Sequence, residues 1–283
     1  MPIELQVIIG LAFSLMGLFL GSFSNVLVYR LSEHKSLFKP SRSYCPTCGN
    51  QIKWYDNIPI ISYIILRGKC RKCKEKISIR YPLIELVGLL FGIGFFMLNY
   101  WPIASKNPIS NTPIGFEMVF RWQTVVYFFM SIILFNIALI DFKTYEIPFE
   151  LSIPFILCCV GLFVGKAIEN PNWDTLQYHV YGFVGTLVLF GLIYLIPYLI
   201  KKVEAIGLGD VILYVFIGLA LNCYFALIIV AISSLVCAIV GIIRMRRGGD
   251  NMLAFGPYIA IATFICMVIE PLITQGLTSI GLL

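Results

Sequence analysis

The chain has 283 residues, 59% hydrophobic and only 13% charged, with a mean hydropathy of +0.89. A soluble domain carries about 25% charged residues, so a soluble globular protein is excluded and a polytopic membrane protein is expected. The net charge of +6 is not arranged as a basic patch interleaved with aromatics on a soluble fold, so it gives no sign of nucleic-acid binding.

Eight apolar stretches come near the roughly 20 residues that a spanning helix needs. They lie at approximately 5–29, 82–100, 122–140, 148–168, 178–200, 210–222, 223–243 and 254–275. The first has no basic segment before it, is too long for the apolar core of a signal peptide and runs straight into Tyr29-Arg30, so it reads as a retained helix. The fold expected is an all-α polytopic membrane protein of about eight transmembrane helices. A small cytoplasmic zinc-ribbon-like domain is expected between the first two. The domains read as 1–29 (first transmembrane helix), 30–81 (cysteine domain) and 82–283 (membrane-embedded domain).

Charge sets the expected orientation. With the N-terminus outside, the inner segments 30–81, 141–147, 201–209 and 244–253 hold 18 of the 21 Lys and Arg residues. Lys106, Arg121 and Lys166 remain outside. This is the positive-inside pattern. Residues 210–243 would make about 51 Å as one helix, too long for one span and barely enough for two. Inside-type charge flanks both ends, so a short hairpin turning near Asn222 is expected, with a first helix that stops short of the far face. The outer loop 101–121 is polar and punctuated by prolines, and is expected to be flexible.

Segment 30–81 carries 12 basic and 3 acidic residues and four of the nine cysteines. "CPTCGN" (45–50) and "CRKC" (70–73) form C-x2-C-x21-C-x2-C, the usual writing of a tetrahedral zinc site. Cys45, Cys48, Cys70 and Cys73 are the candidate ligands. In a reducing cytoplasm metal is favoured over disulfides, and the basic neighbours Arg67, Lys69, Arg71, Lys72 and Lys74 favour thiolates. Four thiolates leave no open position, so the zinc would be structural. A redox pair, or four unrelated surface cysteines, are the other readings. Cys158, Cys159, Cys223, Cys237 and Cys266 lie in apolar helices and read as packing residues.

Carboxylates in membrane helices are functional candidates by default. Asp141 follows "YFFMSIILFNIALI" at the inner end of the third apolar stretch. Asp210 opens the sixth at the same face, within "GLGD" (207–210). Two carboxylates brought together cannot both ionise cheaply and share a proton, one acting as base and the other as acid. The bare glycines Gly207 and Gly209 would let a substrate backbone come close. The plainer alternatives are an interfacial Asp141 beside Lys143, Glu146 and Glu150, and an Asp210 that is a helix N-cap. Glu85 is either a helix-terminal charge or a polar group facing a cavity. Glu204 and Asp250 read as loop charges and Glu270 as interfacial. His34 and His179 have no partner at ligand spacing.

These residues, in this order, resemble the bacterial type IV prepilin peptidases, members of the GxGD class of membrane aspartyl proteases. The resemblance runs through "GSFSNVLVYRL" (21–31), "CPTC" (45–48), "WYDNIPIISY" (54–63), "GKCRKCKEKISIRYPLIEL" (68–86), "LIDFKTYEIP" (139–148), "GLGD" and "AFGPYIA" (254–260). It implies that Asp141 and Asp210 are the catalytic pair and that the four cysteines hold zinc. It further implies removal of a short basic leader from prepilins or pseudopilins of type IV pilus or type II secretion systems. The cut falls after a glycine, at the cytoplasmic face of the inner membrane. Many members then methylate the new N-terminal amine with S-adenosylmethionine. No glycine-rich nucleotide loop on a strand–helix unit is present, so segment 21–31 and the cysteine domain would have to build that cofactor's site, with Glu85 and Asp56 as polar candidates. One departure is Ile212, where the family often has lysine.

The rival readings are a peptidase without the methyltransferase, a presenilin-like protease, a zinc-stabilised assembly factor without enzymatic activity, and a proton-relay transporter. Against the transporter stand the shallow placement of the aspartates and the lack of internal repeats, and against the presenilin branch stand the cysteine domain and "AFGPYIA". Besides prepilins, the lipid bilayer is the expected partner. Oligomeric state is not readable.

Overall fold

The structure, a computed structural model, describes residues 3–37, 42–100, 122–203, 206–248 and 253–279. The loop 101–121, Glu204 and Asp250 lie outside the described residues. Nine α-helices are described, with no strand: α1 Ile3–Ser32, α2 Ile61–Ile65, α3 Arg80–Tyr100, α4 Trp122–Thr144, α5 Phe149–Glu169, α6 Trp173–Lys201, α7 Leu208–Leu221, α8 Cys223–Arg246 and α9 Gly256–Ser279. The eight apolar stretches each form a helix, and α2 is a short addition within the cysteine segment. Six helices are long and apolar enough to cross a membrane; α7 and residues Gly256–Glu270 of α9 are shorter apolar helices.

The chain divides into two compact units, residues 1–128 and 129–283, with the boundary inside α4. In the first, α1 and α3 pack backbone to backbone. A Cβ on Gly17 would collide with the Gly88 carbonyl, one on Gly88 with the Gly17 carbonyl, and one on Gly92 with that of Phe13. The spacings Gly17–Gly21 and Gly88–Gly92 put a small-residue stripe on each helix. Such stripes let membrane helices approach closely enough for dispersion to hold them, where lipid offers no hydrophobic drive. Phe128 closes this unit edge-on against Phe13 and Phe95, at centroid separations of 5.7 and 6.0 Å.

In the second unit α7 touches α5, α6, α8 and α9. After Asp210 it is apolar, and most of it is buried, with Ile212, Phe216 and Leu219 half-buried along one face. Leu213, Tyr214, Ile217, Ala220 and Leu221 are all buried. Gly218 of α7 meets Gly182 of α6 backbone to backbone, and the Phe190 and Tyr214 rings stack 4.0 Å apart. The break expected near Asn222 falls on that residue. Its φ of 83° and ψ of 173° belong to a region reserved almost wholly for glycine. Its side chain holds the break by accepting the Tyr224 and Phe225 N–H groups at 3.0 and 3.3 Å. Around the C-terminal end of α7, Lys166 donates to Glu270 (3.1 Å) and to the Ala220 carbonyl (3.3 Å), and buried His179 bonds the Leu219 carbonyl (2.9 Å). Glu270 and His179 thus have a structural use that spacing alone did not reveal.

Candidate active site and cysteine module

Each cysteine pair sits in the same turn. In the first, Cys45 N–H bonds the Asn50 carbonyl, Gly49 N–H bonds that of Cys45, and Tyr44 bridges Gln51. In the second, Cys70 N–H bonds Glu75, Lys74 N–H bonds Cys70, and Lys69 bridges Lys76. The residue after the second cysteine needs a positive φ in both: 66° at Gly49 and 62° at Lys74. Glycine supplies this without strain, whereas lysine does not. The four sulfurs lie within 4.8 Å of one another, Cys45 to Cys73 at 3.9 Å. Tetrahedral zinc with bonds of about 2.3 Å sets sulfurs about 3.8 Å apart, so the donor set fits that ion. All nine cysteines are free thiols.

The thiols differ in acidity. The Cys48 N–H draws the Cys45 thiol down to about 7, and the Cys73 N–H lowers Cys70. The Glu75 N–H pulls Cys73 the same way, but the neighbouring sulfurs of Cys70, Cys48 and Cys45 outweigh it and push that thiol up to about 12. A cation is what lets all four ionise together. Beside the second pair, Arg71 forks onto Asp56 (Nε to Oδ2 2.8 Å, NH2 to Oδ1 2.6 Å), tying the 3-10 turn Trp54–Asn57 to the module and holding the Asp56 carboxyl below its usual range.

In the second unit the structure brings Asp141 and Asp210 within Coulombic reach of each other. Asp141 occupies the last turn of α4 and is 4% exposed. At its own helix's C-terminus the backbone offers it only carbonyls. Its donor comes from elsewhere: Gly256, the first residue of α9, gives its N–H to Asp141 Oδ2 at 2.8 Å. Asp210 is not the N-cap of α7. That place is Gly207, and Asp210, three residues on, sits where a capping-box carboxylate would, with its Oδ2 beside Gly207. Its other oxygen, Oδ1, is buried with no hydrogen-bond partner among the described residues. Both carboxylates therefore face a helix N-terminus, where backbone N–H groups favour negative charge. Tyr214 and Cys237 lie within Coulombic reach of Asp210. Ile212 is half-buried on α7.

The glycines do different jobs. A Cβ on Gly207 would meet only Asp210 Oδ2, at 3.2 Å, and the residue is exposed. A Cβ on Gly209 would strike Ile147 at 2.7 Å, so its bare face seats α7 on the segment after α4 instead of lying open. Gly256 was absent from the candidates read from sequence. Gly-Pro opening an apolar run was its signal, but nothing local says which carboxylate its N–H serves.

A buried Asp141 and a half-buried Asp210 thus stand near helix ends in the second unit of a multi-pass membrane protein whose first unit carries a four-cysteine module. The bacterial peptidase A24 N-terminal domain matches residues 15–100, and the type IV leader peptidase family matches residues 128–242. The chain is 33% identical to the prepilin leader peptidase/N-methyltransferase of Vibrio cholerae, over 80% of this chain and 83% of that protein. It is 30% identical to the proteins of the same name from Neisseria gonorrhoeae (89% and 87%) and Stutzerimonas stutzeri (94% and 94%). No solved structure matches it. The chain belongs to the type IV leader peptidase family.

Proposed function

We propose that this chain is a prepilin leader peptidase with N-methyltransferase activity, and that Asp141 and Asp210 are its catalytic pair. The observation that carries the peptidase half is the convergence of a buried carboxylate from α4 and a half-buried one from α7. Asp141 is anchored by the Gly256 N–H, and Asp210 has a buried oxygen with no hydrogen-bond partner among the described residues. With one proton between them, one carboxylate takes a proton from water as the water oxygen bonds the scissile carbonyl carbon. The other gives its proton to the carbonyl oxygen. Collapse of the tetrahedral diol breaks the C–N bond and sends a proton to the leaving amine, and the pair again holds one proton. Gly207 leaves room for a substrate backbone, while Gly209 positions Asp210 through Ile147.

The substrates are prepilins or pseudopilins, cut after a glycine where a basic leader meets a hydrophobic helix. The basic-residue distribution favours an N-terminus outside and an inner-membrane location with the site at the cytoplasmic face. Cys45, Cys48, Cys70 and Cys73 would hold a structural zinc. S-adenosylmethionine would supply the methyl group for the new N-terminal amine. The test is mass spectrometry of a prepilin incubated with the purified protein, with and without S-adenosylmethionine. Leader loss, plus about 14 Da only when the cofactor is present, is the expected result. Asp141→Asn and Asp210→Asn should each slow cleavage by about a thousandfold or more; normal cleavage by either folded variant would falsify the pair. Leader loss without added mass would leave a peptidase alone.

A further inference from the structure

Within the first unit is a cavity of about 740 Å³ whose wall includes Ser22, Asn25, Tyr29, Ile60, Tyr63 and Glu85. Its size falls in the range of small-molecule sites, roughly 300–1,000 Å³. Glu85 is the unusual member. α3 begins at Arg80, so Glu85 stands in the second turn, beyond the reach of a helix-terminal charge effect, which fades within the first. It is 9% exposed. Its carboxylate is held from both sides: the Ser22 hydroxyl donates to Oε1 at 2.8 Å and the Ile60 N–H to Oε2 at 2.7 Å. No Lys, Arg or His pairs with it among the described residues.

The Ile60 N–H is presented at a cost. Ile60 has φ 60° and ψ −50°, and Ile61 N–H bonds the Pro59 carbonyl at 2.6 Å. This is a γ-turn of the rare positive-φ kind, strained for any side chain and more so for a β-branched one. Strain of this sort persists where the surroundings enforce it, often at a binding site. A glutamine would serve the same two contacts, since a serine hydroxyl can reverse its role, and it would avoid burying a charge. What the carboxylate adds is negative charge directed at the cavity.

We propose that Glu85 is the counter-charge for an organic cation of the methyl-transfer reaction held in this cavity: the sulfonium of the methyl donor or the α-ammonium of the methyl acceptor. The inference rests on the methyltransferase half of the function proposed above. In that reaction the amine, once deprotonated, forms an N–C bond with its lone pair as the S–CH3 bond breaks. Sulfur keeps the bonding pair and becomes a neutral thioether, and the methylated ammonium then loses a proton to solvent. Positive charge thus passes from sulfur to nitrogen beside Glu85, which stabilises it at both ends of the transfer.

The experiment compares wild type and Glu85→Gln, as full-length protein in detergent, by equilibrium binding of S-adenosylmethionine and of its neutral product S-adenosylhomocysteine. The KM for a cleaved pilin is measured alongside. Thermal midpoint and bound zinc report on folding. If Glu85 faces the sulfonium, the variant loses roughly tenfold or more of the preference for the charged donor over the neutral product. If it faces the ammonium, that preference stays and KM for the pilin rises by a similar factor. Glu85→Asp, which keeps the charge but draws it back, should lose less than Glu85→Gln in whichever quantity moves. Unchanged preference and unchanged KM in Glu85→Gln overturn the proposal, as does a variant whose only change is a lower thermal midpoint. Wild-type protein that cleaves prepilin but binds no S-adenosylmethionine removes the methyltransferase reading itself, a different failure from a wild type that binds and a variant that matches it.

Discussion

Among the described residues Asp141 has one donor, the Gly256 N–H, and that contact leaves no room for a side chain: a Cβ at 256 would stand 2.8 Å from Oδ2 and 3.3 Å from Cγ. Gly256→Ala keeps the N–H and adds only that atom. The carboxylate must then move, and a displacement near 1 Å in a catalytic group costs about a hundredfold in rate. Gly256→Ala should therefore lose about that much cleavage in a steady-state assay while keeping its zinc and thermal midpoint; an unimpaired variant would mean the contact does not position Asp141. At the cysteines the prediction concerns pH. Cys45 loses its proton near 7 and Cys73 only near 12 in the absence of metal, so a zinc ion must expel protons to bind. Lowering the pH restores them. Zinc affinity, measured by competition with a chromophoric chelator, should fall steeply from about pH 8 to about pH 6, with protons released on binding.

At the scale of elements, the glycine stripes of α1 and α3 set the distance between those helices. Gly88→Leu would drive a side chain into the Gly17 carbonyl and the Gly21 backbone. Overpacking costs about 1–3 kcal/mol where neighbours can shift; here the neighbour is main chain, so the upper end is expected, seen as a lower thermal midpoint. Gly94→Leu on the same helix, where a Cβ would meet nothing within 4 Å, should be silent. The helices and the cysteine turns were legible from sequence because each is written locally: about twenty apolar residues, or two cysteines and a turn. The pairings were not. Gly256 lies 115 residues from Asp141, and Glu85 lies 25 from Ile60, with no local pattern to join them. Sequence placed Asp210 at the head of its helix but could not tell the N-cap from the third helical residue, three positions or about five-sixths of a turn further on. The γ-turn at Ile60 has no sequence signature, since isoleucine is among the residues least suited to it.

Over the whole molecule, α7 is the shortest of the helices formed by the eight apolar stretches. Its 14 residues rise about 21 Å, against a hydrocarbon thickness of about 30 Å. It packs against α5, α6, α8 and α9, while Leu208 is exposed and Ile212, Phe216 and Leu219 are half-buried along one face, so neighbouring helices absorb only part of the shortfall. One end bears Asp210, and around the other Lys166, His179 and Glu270 bind one another or the last carbonyls. Those polar ends cannot both reach the bilayer surfaces if the surrounding helices span it fully. Hydrophobic mismatch is thereby expected in the second unit, with acyl-chain length a predicted control on cleavage. A thinner bilayer brings Asp210 nearer to bulk water, and a thicker one sinks it. In proteoliposomes of a graded chain-length series, cleavage should be fastest in the thinner bilayers and fall as thickness grows. In detergent, where no slab is imposed, that dependence should vanish.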